Sequence, residues 1–223
     1  MRKKMKYFSL LCVFAVASAG FARAEAVYYL TEGFGSLSTA PTSTLCGGTD
    51  CFGKVDVSLV TGGAQVTVTL TSGVDFISTG SHETFAFNLP STFTLSDLSL
   101  PSGWTDGTSG TESAFGTFSF YYQCGSNCTP PGKSTLDTLT FTVTGADLSS
   151  FLTLSGAGNS YDPSEGDTSF AADVINNRFD GNPTGVVGND GSGMPVVPEP
   201  SSLLLMGTGL ALLAGALRAK LLA

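Results

Sequence analysis

The chain has 223 residues, of which 13 % are charged and 28 are glycine, and its formal net charge is −8. This length favours a single domain, and low charge with abundant glycine favours a β-rich exported protein over a helical cytosolic enzyme. The acidic balance argues against nucleic-acid binding, which requires a basic surface.

The N-terminus has the three parts of a secretory signal peptide. Four of the first six residues are Arg or Lys, residues 7–17 are almost all apolar, and Ala22-Arg23-Ala24 is a small-x-small cleavage site. The sequence therefore predicts a signal peptide over residues 1–24 and a mature chain that begins at Glu25. An uncleaved N-terminal anchor is the alternative, but the apolar stretch is shorter than the roughly 20 residues of a membrane span.

Alternating apolar and polar residues, which are typical of half-buried strands, recur through the middle of the chain. They predict strands near residues 26–30, 55–59, 66–70, 85–89, 93–95, 118–122, 139–143 and 151–154. Most of these strands have one face rich in Thr and Ser and another rich in Phe, Val and Leu. Two sheets packed face to face would bury both apolar faces, so we expect an all-β domain over residues 25–180. The expected architecture is a β-sandwich of jelly-roll or Ig-like type, with most Phe side chains in its core.

Four cysteines remain after removal of the signal peptide: Cys46, Cys51, Cys124 and Cys128. An even number in an exported chain predicts two disulfides. The simplest pairing joins Cys46 to Cys51 and Cys124 to Cys128, each closing a glycine-containing turn, while crossed pairings remain open. A four-cysteine zinc site is the other chemical interpretation, although the spacings C-x4-C and C-x3-C depart from C-x2-C and an oxidising compartment disfavours free thiolates.

Two single residues are the candidates for chemistry in this domain. His82 is the only histidine, and a histidine-based hydrolase would depend on it, but no Gly-x-Ser-x-Gly motif accompanies it. We therefore expect a protein that is not an enzyme.

Trp104, the only tryptophan, lies beside glycines and Asp106. With Tyr121 or Tyr122 it is the candidate sugar-stacking platform of a carbohydrate-binding module, and burial within the domain is the competing interpretation.

Acidic residues supply the candidate metal site. Between residues 25 and 197 the chain has three Lys or Arg residues and 17 of its 18 Asp and Glu residues, a net charge of −14. Asp162, Glu165 and Asp167 form the best calcium candidate, because calcium takes six to eight oxygen ligands and acidic loops supply them. The cluster does not match an EF-hand loop, and a solvated turn is the alternative.

The end of the domain has weaker patterns. Residues 169–178 depart from the strand period and predict either one short helix or a strand with a bulge. Residues 181–197 are rich in Gly, Asn and Asp and are predicted to be a linker.

The C-terminus carries a second targeting signal. Pro198-Glu199-Pro200 precedes the apolar residues 203–217, and Arg218 and Lys220 follow them. An apolar segment followed by cations stays in the membrane with the cations on the cytoplasmic side. Residues 198–223 are therefore predicted to be a sorting signal with a transmembrane helix, and an ordinary C-terminal membrane anchor is the alternative.

This order of Pro-Glu-Pro, apolar helix and basic end closely resembles the PEP-CTERM sorting signal of Gram-negative bacteria. The resemblance covers Pro198, Glu199 and Pro200, the apolar helix and the basic end that begins at Arg218. It implies an exosortase as partner, a membrane cysteine protease-transpeptidase that cuts near Pro198-Glu199-Pro200. It also implies an inner-membrane intermediate, delivery to the cell surface or the exterior, and a host that makes exopolysaccharide and biofilm.

The middle of the chain is similar to exported PEP-CTERM proteins of undescribed function, at residues 83–89, 139–143, 170–174 and 184–188. This weaker resemblance implies a shared β-rich fold and no known activity. The expected role is structural or adhesive, with exopolysaccharide as a candidate partner, no nucleic acid and no cofactor besides the calcium candidate. A carbohydrate-binding module and, after it, a surface hydrolase are the alternatives.

Overall fold

Strands dominate the part of the chain that the computed structural model describes, which is residues 25–37, 40–79, 82–112, 115–125, 128, 136–153, 168–178 and 181–189. No α-helix occurs in these ranges. Both observations confirm the all-β class. They agree with the Val, Thr and Phe content of the strands, since β-branched and aromatic side chains fit a pleated, half-buried surface.

The described residues form twelve strands, numbered in chain order. Their bounds are β1 Glu25–Gly33, β2 Thr42–Ser43, β3 Thr49–Asp50, β4 Gly53–Val60, β5 Gly63–Leu70, β6 Val74–Phe76, β7 Phe85–Phe87, β8 Trp104–Glu112, β9 Gly116–Cys124, β10 Thr138–Thr144, β11 Phe170–Asn176 and β12 Thr184–Asn189. Short 3-10 helices span Thr44–Cys46, Leu95–Asp97 and Leu148–Leu152. The last two lie where strands were predicted near residues 93–95 and 151–154, so these two predictions are wrong.

Ten of the strands belong to one antiparallel sheet. Its order is β10-β5-β4-β1-β12-β11-β7-β9-β8, and β6 pairs with β11 next to β7. Strands β2 and β3 form a separate two-stranded ribbon. The prediction of two separate sheets is not confirmed. Strands β12 and β11 pair with each other, and β12 also pairs with β1 while β11 also pairs with β7. All the longer strands therefore belong to one curled sheet, a half-barrel.

The curl brings strands from opposite ends of the sheet order into contact through aromatic side chains. Phe141 of β10 lies 4.8 Å from Tyr122 of β9 and 5.0 Å from Phe87 of β7, measured between ring centroids. Phe85 and Phe170 extend the same cluster, and all five side chains are buried. The expectation that most Phe side chains form the core is confirmed, and each such ring pair adds about 0.5–1.5 kcal/mol beyond area burial.

Strand β12 corrects the predicted linker, because residues 184–189 lie in the sheet between β1 and β11. The two glycines of β12 allow close packing against neighbouring segments and do not form a loop. A Cβ at Gly185 would lie 2.2 Å from the backbone oxygen of Phe34, and one at Gly188 would lie 2.9 Å from the ring of Phe115. The neighbouring range 170–176 is strand β11, so the alternative of a helix there is also wrong.

The short segment Leu98–Ser99, which we call the strap, contacts both β10 and β9. Leu98 forms an antiparallel bridge with Val143, and the Ser99 N–H donates to the backbone oxygen of Thr142 at 2.9 Å. The Tyr122 hydroxyl donates to the backbone oxygen of Ser99, also at 2.9 Å. The strap therefore links β10, at one end of the sheet, with β9, near the other end.

Candidate functional site

The most unusual local feature of the sheet is a loop inserted between two strands that share one partner. Strands β6 and β7 both pair with β11, and residues 77–84 loop out between them. The Ile77 N–H donates to the backbone oxygen of Asp173 at 3.0 Å, and the Asp173 N–H donates to the backbone oxygen of Thr84 at 3.1 Å. The 77–84 loop, of which residues 80–81 are not described, thus leaves and re-enters the sheet at one position of β11.

Asp173 occupies that position with a fully buried carboxyl group. It lies between the core residues Ala172 and Val174, so its side chain is on the opposite face of β11. Its Oδ2 accepts hydrogen bonds from the Thr79 N–H at 3.1 Å and the Thr79 hydroxyl at 2.7 Å, whereas its Oδ1 has no partner in the described residues. Burial raises the pKa of Asp173, against the lowering effect of the two Thr79 hydrogen bonds.

Glu112, at the end of β8, is also fully buried, and neither of its carboxyl oxygens has a hydrogen-bond partner within the described ranges. The Nδ1 atom of His82 lies 3.7 Å from Glu112 Oε2, which is too long for a hydrogen bond. Burial raises the pKa of Glu112 to about 9, and the negative charges of Asp173 and Glu83 act in the same direction, whereas the nearby backbone N–H of Glu83 opposes the shift. The carboxyl group is therefore neutral at pH 7.

Glu83, in the 77–84 loop, is the third acidic residue in this part of the fold. A Cβ at Gly110 would lie 3.1 Å from Glu83 Cγ, so the loop packs closely against β8. Burial raises the pKa of Glu83, and His82 opposes this shift. We call His82, Glu83, Glu112 and Asp173 the buried acid cluster. It joins three chain segments, and among the described residues no three His, Cys, Asp or Glu side chains are placed to hold a metal ion.

Sequence reasoning singled out His82 but missed Glu112 and Asp173. Asp173 carries a usable signal, because an acid inside the apolar run Ala-Ala-Asp-Val-Ile indicates a buried carboxyl group. Glu112 follows a polar, glycine-containing stretch, where an acid is ordinary.

The predicted sugar platform is not present on the surface, because two of its members are buried. Trp104 is 7 % exposed and packs edge-on against Phe76, with ring centroids 5.7 Å apart. Tyr122 is fully buried, and Tyr121 is partly buried over Gly107, where a Cβ would lie 2.3 Å from the tyrosine oxygen. The interpretation of Trp104 as a core residue is therefore correct, and a stacking role for it is wrong.

Both predicted local disulfides are present. Cys46 is bonded to Cys51 and Cys124 to Cys128, with Cα–Cα distances of 6.3 and 5.8 Å. The crossed pairings and the zinc interpretation are wrong, since each sulfur is bonded to its near neighbour. The first disulfide closes the turn that joins β2 to β3, where Gly47 has a φ of 70° that favours glycine.

Several predicted site residues lie outside the described residues. These are the calcium candidates Asp162, Glu165 and Asp167 and the sorting residues Pro198, Glu199, Pro200 and Arg218. The predicted signal peptide and C-terminal helix also lie there and stay predictions. In the described ranges no helix has the length and apolar character needed to cross a membrane.

Comparison with known proteins identifies the C-terminal segment. The family model of the PEP-CTERM protein-sorting motif matches residues 196–220, which confirms the resemblance seen in the sequence. No curated protein and no solved structure matches the chain. The motif marks an exported protein that is processed by an exosortase and delivered to the cell envelope or surface.

Proposed function

We propose that this chain is a structural or adhesive component of the cell surface or extracellular matrix, without enzymatic activity, that acts among exopolysaccharide. The sorting motif at residues 196–220 is the observation that carries the proposal. Exosortase processing delivers a protein to the exterior, and an exterior matrix needs stable, soluble domains.

The described domain has the properties that such a role requires. Its half-barrel is filled by a continuous aromatic and aliphatic core, and two disulfides fix turns at its surface. The net charge of −14 between residues 25 and 197 favours solubility and weakens contact with anionic surfaces. The only histidine, His82, is not hydrogen-bonded to Glu112, because 3.7 Å separate His82 Nδ1 from Glu112 Oε2, so this pair does not support a hydrolase triad.

The proposed order of events follows from the two ends of the chain. Removal of the signal peptide leaves Glu25 at the N-terminus. The apolar residues 203–217 hold the chain in the inner membrane, with Arg218 and Lys220 on the cytoplasmic side. Exosortase then cuts near Pro198-Glu199-Pro200 and transfers the domain outward, where it contacts exopolysaccharide.

The first test is the intact mass of the protein recovered from its own host, with and without the exosortase. We expect a chain from Glu25 to near Pro198 when the exosortase is present and an uncut tail when it is absent. Alanine in place of Pro198, Glu199 and Pro200 should also leave the tail uncut. Pro195→Ala is the matched control and should be processed normally. A tail retained through Ala223 in both strains would leave a plain membrane anchor and overturn exosortase sorting.

A second test addresses the role itself. A deletion strain should form less biofilm, and the wild-type gene should restore it, whereas the variant with three alanines at positions 198–200 should not. Matrix fractions probed for the protein would show whether it remains with exopolysaccharide. Unchanged biofilm in the deletion strain would contradict a structural or adhesive role, and a hydrolytic activity that His82→Ala abolishes would replace it with an enzymatic one.

A further inference from the structure

We propose that the signal peptide is removed while strand β1 is still outside the sheet, and that completion of the sheet protects the bond from cleavage. This inference rests on the cleavage after Ala24 that the proposed function includes, and it adds the order of cleavage and folding. It stands on the position of Glu25, on the burial of the residues after it and on the place of β1 in the sheet.

The predicted cleavage point coincides with the start of a strand. Glu25 is the first residue after Ala24 and also the first residue of β1. Its Cα partner on β4 is Ser58, and the next residue, Ala26, is paired with Val57. The sheet therefore begins directly on the C-terminal side of the bond, with no residue between them.

The first residues of β1 are held by the core of the domain. The side chains of Ala26, Tyr28 and Leu30 are buried, and Ala26 and Leu30 are 0 % exposed. The Tyr28 ring packs edge-on against Phe170, with ring centroids 4.8 Å apart, and its hydroxyl donates to the backbone oxygen of Phe151 at 3.3 Å. Separating this end of β1 from the sheet would expose these side chains to water and break the pairing with β4.

A peptidase needs the same segment in a free, extended form. Water adds across the Ala24–Glu25 peptide bond and leaves a carboxylate on Ala24 and an amino group on Glu25. An extended chain binds its partner through main-chain hydrogen bonds, so the residues around the bond must be free to pair with the peptidase. In the folded chain, Glu25 and Ala26 are already paired with β4. Cleavage there proceeds only from molecules that have opened locally, at a rate set by their population.

The place of β1 in the sheet keeps the bond accessible during export. Strand β1 lies between β4 and β12 and joins the strands on its two sides into one sheet. Leu30 pairs with Asn189, which is 159 positions further along the chain. The second side of β1 is therefore completed only after almost the whole domain has crossed the membrane, and such long-range pairing forms slowly. Two strands paired alone are marginally stable, so β1 and β4 leave the bond open to the peptidase until then.

The test measures how fast a purified signal peptidase cuts the full chain in detergent, before and after the chain folds. The chain is diluted out of urea under oxidising conditions, and the peptidase is added after increasing delays. Fluorescence of Trp104, which is buried in the folded domain, reports how far folding has progressed. We expect chains that meet the peptidase immediately to be cut after Ala24, and folded chains to be cut at least tenfold more slowly.

The matched control carries a spacer of Gly and Ser residues between Ala24 and Glu25. It keeps the small-x-small recognition site at residues 22–24, and about six added residues place the bond up to about 20 Å from β1. Because the spacer lies outside β1, the domain should fold as the wild type does. The folded spacer variant should be cut as rapidly as the unfolded wild type.

Equal cleavage rates for the unfolded and the folded wild type would overturn the proposal. A folded spacer variant that resists cleavage would also overturn it, because the resistance would then not come from β1. If neither chain is cut in either form, the cleavage site predicted after Ala24 is wrong and this inference fails with it. The exosortase test of the proposed function measures the C-terminal cut alone, so the two failures are distinguishable.

Discussion

Replacing Glu112 with glutamine should change how the stability of the protein depends on pH. The ordinary pKa of this carboxyl group, 4.5, is raised to about 9 in the folded protein. Between these values the folded state holds a proton that the unfolded chain has released, so the free energy of unfolding falls as pH rises. The slope is about 1.4 kcal/mol per pH unit, which amounts to about 3 kcal/mol between pH 4.5 and pH 7.

The assay is urea denaturation at several pH values from 4.5 to 8. The wild type should lose stability across this range, while Glu112→Gln should lose much less, because an amide does not titrate. The variant should also be the more stable protein at pH 7, by up to about 3 kcal/mol less the cost of an amide whose hydrogen bonds are incomplete. Glu32→Gln, which changes an exposed carboxyl group, should retain the wild-type slope.

The reasoning fails if the wild type and Glu112→Gln have the same slope, since the buried carboxyl group would then titrate as it does in the unfolded chain. It also fails if the wild type becomes more stable as pH rises from 5 to 7. Carboxyl groups whose pKa values are lowered on folding would then determine how the free energy of unfolding changes with pH.

Three further predictions concern the fold. Trp104→Ala should lower the free energy of unfolding by about 3–5 kcal/mol in urea denaturation, because the ring is buried against Phe76; wild-type Trp fluorescence should shift to longer wavelength on unfolding, and an unshifted spectrum would contradict the burial. Gly63→Ala should cost about 1–3 kcal/mol in the same assay, since its Cβ would lie 2.1 Å from the backbone oxygen of Val143; unchanged stability would contradict that close approach. Removing the Cys46–Cys51 disulfide by a double serine substitution should cost about 2 kcal/mol, the value for so short a closed loop, and an intact mass that shows free thiols in the wild type would refute the pairing.

The sequence is most informative where one face of a strand meets solvent. In β4 and β5, Val55 and Val57 alternate with polar residues, and Val66 and Val68 pair with them in register. The alternation exists because the opposite face is solvated, and it locates these strands correctly. The Cys46–Cys51 pairing was predictable for a similar reason, since it is local in sequence.

The alternation of apolar and polar residues is lost where both faces of a strand are buried or where glycines allow close packing. Strand β11 is buried at every position, so its run of apolar residues does not alternate. Strands β8 and β12 contain glycines, such as Gly107 and Gly188, that accommodate aromatic rings and look like loop residues in the sequence. A two-sheet arrangement was inferred because local patterns do not specify which strands pair across the sheet.

The buried acid cluster was beyond sequence reasoning because its members come together only through long-range pairing. Glu112 ends β8, while Asp173 lies in β11, and β7 and β9 separate these two strands in the sheet. Among the described residues, the 77–84 loop connects them, because it leaves the sheet at Asp173 and packs against Gly110. No spacing in the sequence indicates that β8, β11 and the 77–84 loop meet.

The two outermost strands of the sheet bear on how such domains behave when crowded. Open strand edges are templates for pairing with other chains and for aggregation. The strap occupies part of the free edge of β10, and on β8 the extended backbone is interrupted at Ser109, whose φ is 63°. These two features of the edge strands hinder strand-to-strand pairing between neighbouring copies, and so hinder the formation of fibrils. Copies of this domain at high density would therefore meet through their side chains and not by extending one sheet into another.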